Sequence, residues 1–304
     1  MMKNKPMLAY PVSAKPIDYS KPVFIQPKLD GVRCLIQFER GFNPNLDPSF
    51  DDRDKVVAYS RTGKVWKNID HILRELKPFF TNNPNVVLDG ELYNHDFKDD
   101  FESIISMVRK TKPTDEDRSI SEKHVQFHCY DLIDPFLGNL KNEPTNLVFS
   151  ERNDWLQVNL QSSYCVKKLV TLHVSDELSA KTAHQINLDA GYEGAIVRLD
   201  TPYQCKRSHS LRKFKDFSDA EANIVGYEEG KGKRTGTLGK FIMQDDDGNQ
   251  FGCPPGKGHN YKDLAIMLTN IHEYMGQRAT FTYFERTKAG SYRHPLFKCL
   301  RNYE

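Results

Sequence analysis

The chain has 304 residues, 38% of them hydrophobic, and a mean hydropathy of −0.65. That is enough for two soluble domains of ordinary size, and no apolar run approaches the roughly 20 residues that a membrane-crossing helix needs. Lys and Arg (43) nearly balance Asp and Glu (41), for a net charge of +2, so a wholly basic polyanion binder is excluded and any basic surface has to be local.

In chain order, residues 1–22 hold Pro6, Pro11, Pro16 and Pro22 and read as an extended arm. The arm has lysines but no continuous apolar core, so it is not a secretory signal. Six scattered cysteines without a C-x-x-C pair argue against a disulfide framework or a zinc site and point to a reducing, cytoplasmic compartment. Residues 23–25 form a strand, Asp30-Gly31 supplies turn chemistry, and 32–38 form a second strand. A hairpin presenting Lys28 at the mouth of a sheet is therefore expected. Cations such as Arg33 nearby would make the Lys28 ammonium lose its proton more readily, and the neutral amine is a nucleophile. The bland alternative is a solvated surface hairpin.

Residues 39–55, rich in Asp, Asn, Pro and Gly, read as a surface loop. The strand 56–59 runs into Ser60-Arg61-Thr62-Gly63, which places Arg61 as a ligand contact or a plain surface residue. Residues 69–80 have helical spacing. The buried strand 86–92 ends with Asp89 and Glu91, which share a face because strand residues alternate; a ribose or metal contact, or a solvated strand end, accounts for them. A helix at 99–110, a strand at 125–133 ending in Tyr130-Asp131, helices at 147–160 and 176–190 and a strand at 168–174 follow. Glu193 stands beside glycine at the entrance of an apolar strand, where backbone can approach a ligand. Lys206, Arg207, His209, Arg212, Lys213 and Lys215 form a basic cluster in which Lys213 and Lys215 face one way, as suits a triphosphate. Past Phe217 come strands at 224–227, 240–243 and 279–284, a flexible basic hairpin at 228–239 and a helix at 263–274. These suggest a five-stranded OB-type barrel and domains of 1–217 and 218–304.

Six of these stretches stand in the order of a known family. The chain resembles the ATP-dependent DNA ligases, within the covalent nucleotidyltransferase superfamily, from about Gln26 to Arg301. The family's lysine motif matches Lys28 to Arg33, and its later motifs match Ser60-Arg61-Thr62, Asp89-Gly90-Glu91, Tyr130-Asp131, Glu193-Gly194, and the pair Lys213 and Lys215. Tyr130 stands where phenylalanine is commoner. Arg293-His294-Pro295-Leu296-Phe297 up to Arg301 resembles the last motif of minimal viral and bacterial ligases and departs from R-x-D-K.

The resemblance implies an α+β fold, with a nucleotidyltransferase domain of ATP-grasp-like antiparallel sheets and helices followed by a small OB-fold β-barrel. It implies that Lys28, Asp30, Arg33, Lys213 and Lys215 serve catalysis. The ATP contacts it implies are Gln26 near the base, Tyr130 stacking on adenine, Arg61 and Glu91 on the ribose, Lys213 and Lys215 on the α-phosphate, and Arg293 or Arg301 on the pyrophosphate. Mg²⁺ or Mn²⁺ would sit on Glu193 and, at some step, on Glu91 or Asp30. Lys206, Arg207, Lys231, Lys233 and Arg234 would grip nicked duplex DNA through its phosphates. A cytoplasmic monomer without membrane attachment, of cellular or viral encoding, is expected to act in DNA repair, replication or recombination. An RNA ligase, a capping-type guanylyltransferase and a non-catalytic DNA-binding module are the alternatives; the missing R-x-D-K argues against capping.

Overall fold

The computed structural model describes residues 2, 4–40, 55–98, 100–133, 147–214, 218–256, 259–284, 286 and 290–301. Most of the expected loop 39–55, together with Lys215 and Phe217, falls outside them. The chain divides into two compact units, Met1–Lys215 and Asp216–Glu304.

The first unit runs β1 (Leu8–Pro11), β2 (Val23–Pro27), β3 (Val32–Glu39), β4 (Lys55–Tyr59), α1 (Asp70–Asn82), β5 (Val87–Tyr93), α2 (Phe101–Val108), α3 (Asp115–His124), β6 (Gln126–Ile133), α4 (Phe149–Asn159), β7 (Val166–Lys168), β8 (Leu172–Val174), α5 (Glu177–Asp189), β9 (Ala195–Leu199) and β10 (Arg207–Phe214). Among the described residues the strands form two five-stranded sheets, ordered β1-β10-β9-β2-β8 and β4-β3-β5-β6-β7. This corrects the expected hairpin: β2 and β3 belong to different sheets. Pro27 has no N–H to extend a ladder. Beyond it the Lys28 N–H donates to the Gly194 carbonyl at 2.9 Å and the Glu193 N–H to the Lys28 carbonyl at 3.1 Å, after which the chain crosses to the second sheet. Two other expectations change in the same way. The single strand 168–174 is split, with β7 in the second sheet and β8 in the first, and the arm 1–22 contributes β1, which pairs in parallel with β10.

The two-residue period of a strand then decides what faces what. Cys34, Ile36, Leu88, Leu92 and Phe127 pack with Ile72, Leu76, Phe80 and Leu156 in the core that the helices cover. Leu35 and Val87 turn the other way, onto Met7, Tyr203 and Leu211. Arg33, Asp89 and Glu91 share that second parity, with Arg33 opposite Glu91 and Leu35 opposite Asp89 in the β3–β5 ladder. The outer face of the first sheet is closed by α5, whose Ala180 and Ala183 pack on Val23, Ile25 and Val197.

The second unit holds β11 (Ser218–Glu229), β12 (Leu238–Gln244), β13 (Gln250–Cys253), α6 (Tyr261–Thr269), β14 (Arg278–Tyr283) and β15 (Leu296–Leu300), with the sheet ordered β13-β12-β11-β14-β15. Its core gathers Ile224, Phe241, Met243, Phe251, Phe281 and Phe297 under Leu264 and Met267 of α6. Among the described residues no continuous ladder closes the sheet into the expected barrel. Its two edges meet at the Pro255–Phe297 bridge, where the Phe297 N–H donates to the Pro254 carbonyl at 2.9 Å and the Gly256 N–H to the Phe297 carbonyl at 3.0 Å. Pro254 and Pro255 carry no N–H, so a longer ladder cannot form there.

At Gly90 the ladder between β5 and β6 is irregular, and a Cβ would stand 2.5 Å from both the His128 carbonyl oxygen and the Phe127 ring. Gly90→Ala is expected to lower stability by about 1–3 kcal/mol in urea unfolding, as overpacking does; an unchanged midpoint would show that the bulge has room.

Candidate active site

The crossing at Lys28 opens a cleft of about 290 Å³ between the two sheets of the first unit. Lys28 Nζ is ion-paired with Glu193, and their side chains are 20% and 8% exposed. The pair follows from the backbone, because the reciprocal bonds between Lys28 and the 193–194 segment lay the two residues side by side. Gly194, at φ 138°, takes a conformation that a residue with a side chain rarely adopts.

Arg33 lines the cleft but is held from behind. Its Nε and Nη2 donate to the Asp89 carboxylate at 2.6 and 2.5 Å, and Nη2 also donates to the Met7 carbonyl at 3.1 Å. The Tyr203 hydroxyl donates to Asp89 Oδ2 at 2.7 Å and accepts the Met7 N–H at 2.8 Å, so the circuit is closed. Burial works against the Arg33 charge, and Asp89 together with Tyr130 and Tyr203 outweighs it, holding the guanidinium well above its ordinary pKa. Asp89, wholly buried, is therefore a structural counter-ion, and Glu91 is the acid that faces the cleft. Burial raises the Glu91 carboxyl to about 7 against the opposing charges of Arg33 and Lys28 and a 3.2 Å hydrogen bond from the Tyr130 hydroxyl.

Tyr130 lines the cleft, with the Arg33 and Arg198 guanidinium carbons 5.1 and 5.4 Å from its ring centroid. The next residue, Asp131, is buried between Arg152 Nε at 2.8 Å and Arg198 Nη1 at 2.6 Å; these two guanidiniums hold its carboxyl below the usual range despite the burial. Arg198 Nε also donates to Gln26 Oε1 at 2.6 Å, while Gln26 Nε2 donates to the Tyr130 carbonyl at 3.0 Å and to Thr171 Oγ1 at 2.9 Å. Gln26 thus lines the cleft with both ends of its amide committed, and it fixes the Tyr130 backbone.

The remaining candidates divide. Lys213, Arg61 and Arg207 line the same cleft, Arg61 from the exposed turn after β4. Arg207, expected on a DNA-facing surface, turns its guanidinium onto the Ala9 carbonyl and lies 5.6 Å from the Tyr10 ring. Asp30 is half-buried on the crossover and is not a lining residue. Lys206 is exposed, as are Lys231, Lys233 and Arg234 in the second unit. In that unit Arg301 is ion-paired with Glu221, and the Arg293 guanidinium lies 5.9 Å from the Phe284 ring. Leu169 and Ile196 add apolar wall that the sequence reading missed, as it missed Arg198 and Tyr203. A charged residue inside the apolar run 195–199 was the available signal for Arg198; Tyr203 had none.

A bound nucleotide fits this wall of one aromatic face and six basic side chains. Among the described residues no group of three His, Cys, Asp or Glu gathers. Glu91 and Glu193 suit a hard divalent cation that takes one or two carboxylates and completes its shell with phosphate and water.

Against known proteins, residues 6–215 match the family model described as ATP dependent DNA ligase domain, and residues 229–301 match one described as DNA ligase OB-like domain. A DNA ligase of Halobacterium salinarum is 25% identical over 227 residues, which cover 72% of this chain and 37% of that protein. A DNA ligase of an African swine fever virus isolate is 30% identical over 197 residues, covering 60% and 42%. The chain spans less than half the length of these two relatives. A solved structure described as a structure-function study of Lig E DNA ligases has the same fold, with a TM-score of 0.71 at 21% identity over 99% of this chain and 100% of that one.

The raised Glu91 carboxyl gives stability a pH slope. Folded Glu91 titrates near 7, against 4.5 ordinarily, so the folded state holds a proton that the unfolded state has shed in between. Its stabilising contribution is complete below the lower value and is lost as pH rises through the upper one. In melting curves of ligand-free protein from about pH 5 to about pH 8, Tm is expected to fall relative to Glu91→Gln; parallel curves would contradict the assignment.

Proposed function

The chain belongs to the ATP-dependent DNA ligase family, and we propose that it transfers AMP from ATP to Lys28 and then seals 3′-OH/5′-phosphate nicks in duplex DNA. The observation that carries this reading is the amine of Lys28, held by Glu193 in a cleft with an aromatic face and a basic wall.

In the first step Nζ attacks the α-phosphorus, a nitrogen–phosphorus bond forms, and pyrophosphate leaves. The AMP then passes to the 5′-phosphate at the nick, and the adjacent 3′-OH attacks that phosphate and expels AMP. An ammonium cannot attack, so the Lys28–Glu193 pair has to open and the amine has to lose its proton. Glu193 and Glu91 would hold the divalent cation, which when bound adds positive charge at the phosphate and competes for the Glu193 carboxylate. Tyr130 stacks the base, Glu91 and Arg61 take the ribose, and Lys213 with Lys215 meets charge growing on the α-phosphate oxygens. The Arg152–Asp131–Arg198 group leaves a net positive charge beneath the floor, which favours the nucleotide's anion. Asp30 supports Lys28 on the crossover, and Arg293 or Arg301 orients the pyrophosphate. Lys206, Arg207, Lys231, Lys233 and Arg234 neutralise DNA phosphates, which suits an activity indifferent to sequence. The protein acts as a monomer.

Mass spectrometry after ATP exposure is expected to show one added AMP, absent in Lys28→Ala. Uptake of GMP instead, or sealing of nicked RNA but not DNA, would transfer the chain to the capping-type or RNA-joining class. No adduct at all would reduce it to a binding module.

Replacing Lys231, Lys233 and Arg234 together by Ala is expected to weaken nick binding and to reduce the log–log salt slope by about one for each DNA phosphate left without its cation. Self-adenylation should persist; its loss in a folded variant would refute this division of labour.

A further inference from the structure

We propose that His95 is a positioning residue that clamps the turn carrying Glu193 and so keeps that carboxylate on Lys28; the proposal rests on the reading of Lys28 as the nucleophile. The two carboxylates arrive on different sheets, Glu91 on β5 at the cleft wall and Glu193 just ahead of β9, where it meets the cleft through its pair with Lys28. Something has to fix one against the other.

The segment after β5 does this. Asn94 caps a short 3₁₀ turn, His95–Phe97, by accepting the Asp96 N–H. The His95 ring from this turn reaches the end of α5, where the last carbonyls lack helical partners. His95 Nε2 lies 3.1 Å from the Ala190 carbonyl oxygen. A carbonyl only accepts, so Nε2 carries the hydrogen, and Nδ1 of the neutral ring then accepts the Tyr93 hydroxyl at 2.8 Å. The same ring packs 4.6 Å from the Tyr192 ring. Gly191, at φ 84°, ends α5 and allows the chain to turn, and the Tyr192 N–H returns to the Asn187 carbonyl at 2.9 Å. Glu193 follows immediately. Its turn is therefore held on one side by the backbone of Lys28 and on the other by His95, which is itself oriented by a tyrosine of β5.

Such a clamp acts on the chemistry through placement alone. His95→Ala is expected to slow AMP uptake by Lys28 at saturating ATP by about 10-fold with little change in KM: Glu193 then leaves Lys28 by moving out of the site, where it would no longer be placed to pass to the divalent cation, and small misplacements at a reacting group are costly. His95→Gln can still offer an N–H to the Ala190 carbonyl, and it should restore the rate to within about 3-fold of wild type. Crystal structures give a readout independent of activity: in His95→Ala the Glu193 carboxylate should leave Lys28 Nζ, and in His95→Gln it should stay. An undisturbed ion pair in the alanine variant, or equal losses of rate and Tm in both variants, would overturn the clamp. A wild-type protein that takes up no AMP would contradict the nucleotidyl-transfer reading alone, because the position of Glu193 in the variant crystals still decides this proposal.

Discussion

The passage of the chain from one sheet to the other at Lys28 is the constraint on which the first unit depends. A lysine in a hairpin loop would have water on most sides. At a crossover it has a sheet on each side, and its backbone is fastened to the segment that delivers its counter-ion. The cleft exists because β2 and β3 diverge at this point, and its walls are whatever the neighbouring strands present by parity. On β3 and β5 that parity brings Arg33 and Glu91, with Asp89 buried behind them; on β9 and β10 it brings Ile196, Arg198, Leu211 and Lys213.

Charges placed this way would be ruinous without partners, since moving an ion out of water costs several kcal/mol even after relaxation. The structure meets this with closed circuits. Arg33 is answered by Asp89 and the Met7 carbonyl, and Asp89 by Tyr203, whose hydroxyl accepts the Met7 N–H. Arg152 and Arg198 share Asp131, and Arg198 also uses Gln26. Geometry this complete serves placement more than stability, because apolar residues of similar volume would cost nothing to desolvate. What it secures is a rigid aromatic face at Tyr130 and guanidiniums that do not swing into the cleft. Glu91 is the exception. It faces the cleft with one modest hydrogen bond, and burial raises its pKa accordingly.

How far the sequence discloses this arrangement depends on the range of the interaction. Alternation along 86–92 is local, and it placed Asp89 and Glu91 on one face; it could not tell which of them Arg33 would claim. The Lys28 motif is local too, but its partner Glu193 is 165 residues away, and no periodicity links them. Asp30-Gly31 has the chemistry of a hairpin turn, and the turn was misread because the decisive pairing, β2 with β9, is long-range. Helix α3 went unseen although Thr114 and Asp117 form a capping box, because the helix has few apolar residues to mark a stripe. Arg152 sits in a helix with no apolar stripe, so nothing set it apart as buried.

The resting ion pair also explains why such a lysine can be kept ready without reacting at random. Paired to a largely buried carboxylate, Nζ is engaged as a donor and is not presented for attack. Attack on a phosphorus requires that Glu193 release Nζ while staying in the site, and further positive charge close by favours the neutral amine. On the proposed function both changes would come with the substrate, a nucleotide polyphosphate entering with its divalent cation. The cleft would meet the phosphate with its basic side chains and offer the ion Glu91 on its wall and Glu193 beside Lys28. On that reading, activation of the amine would be tied to occupation of the site, and the order of events would follow from charge balance.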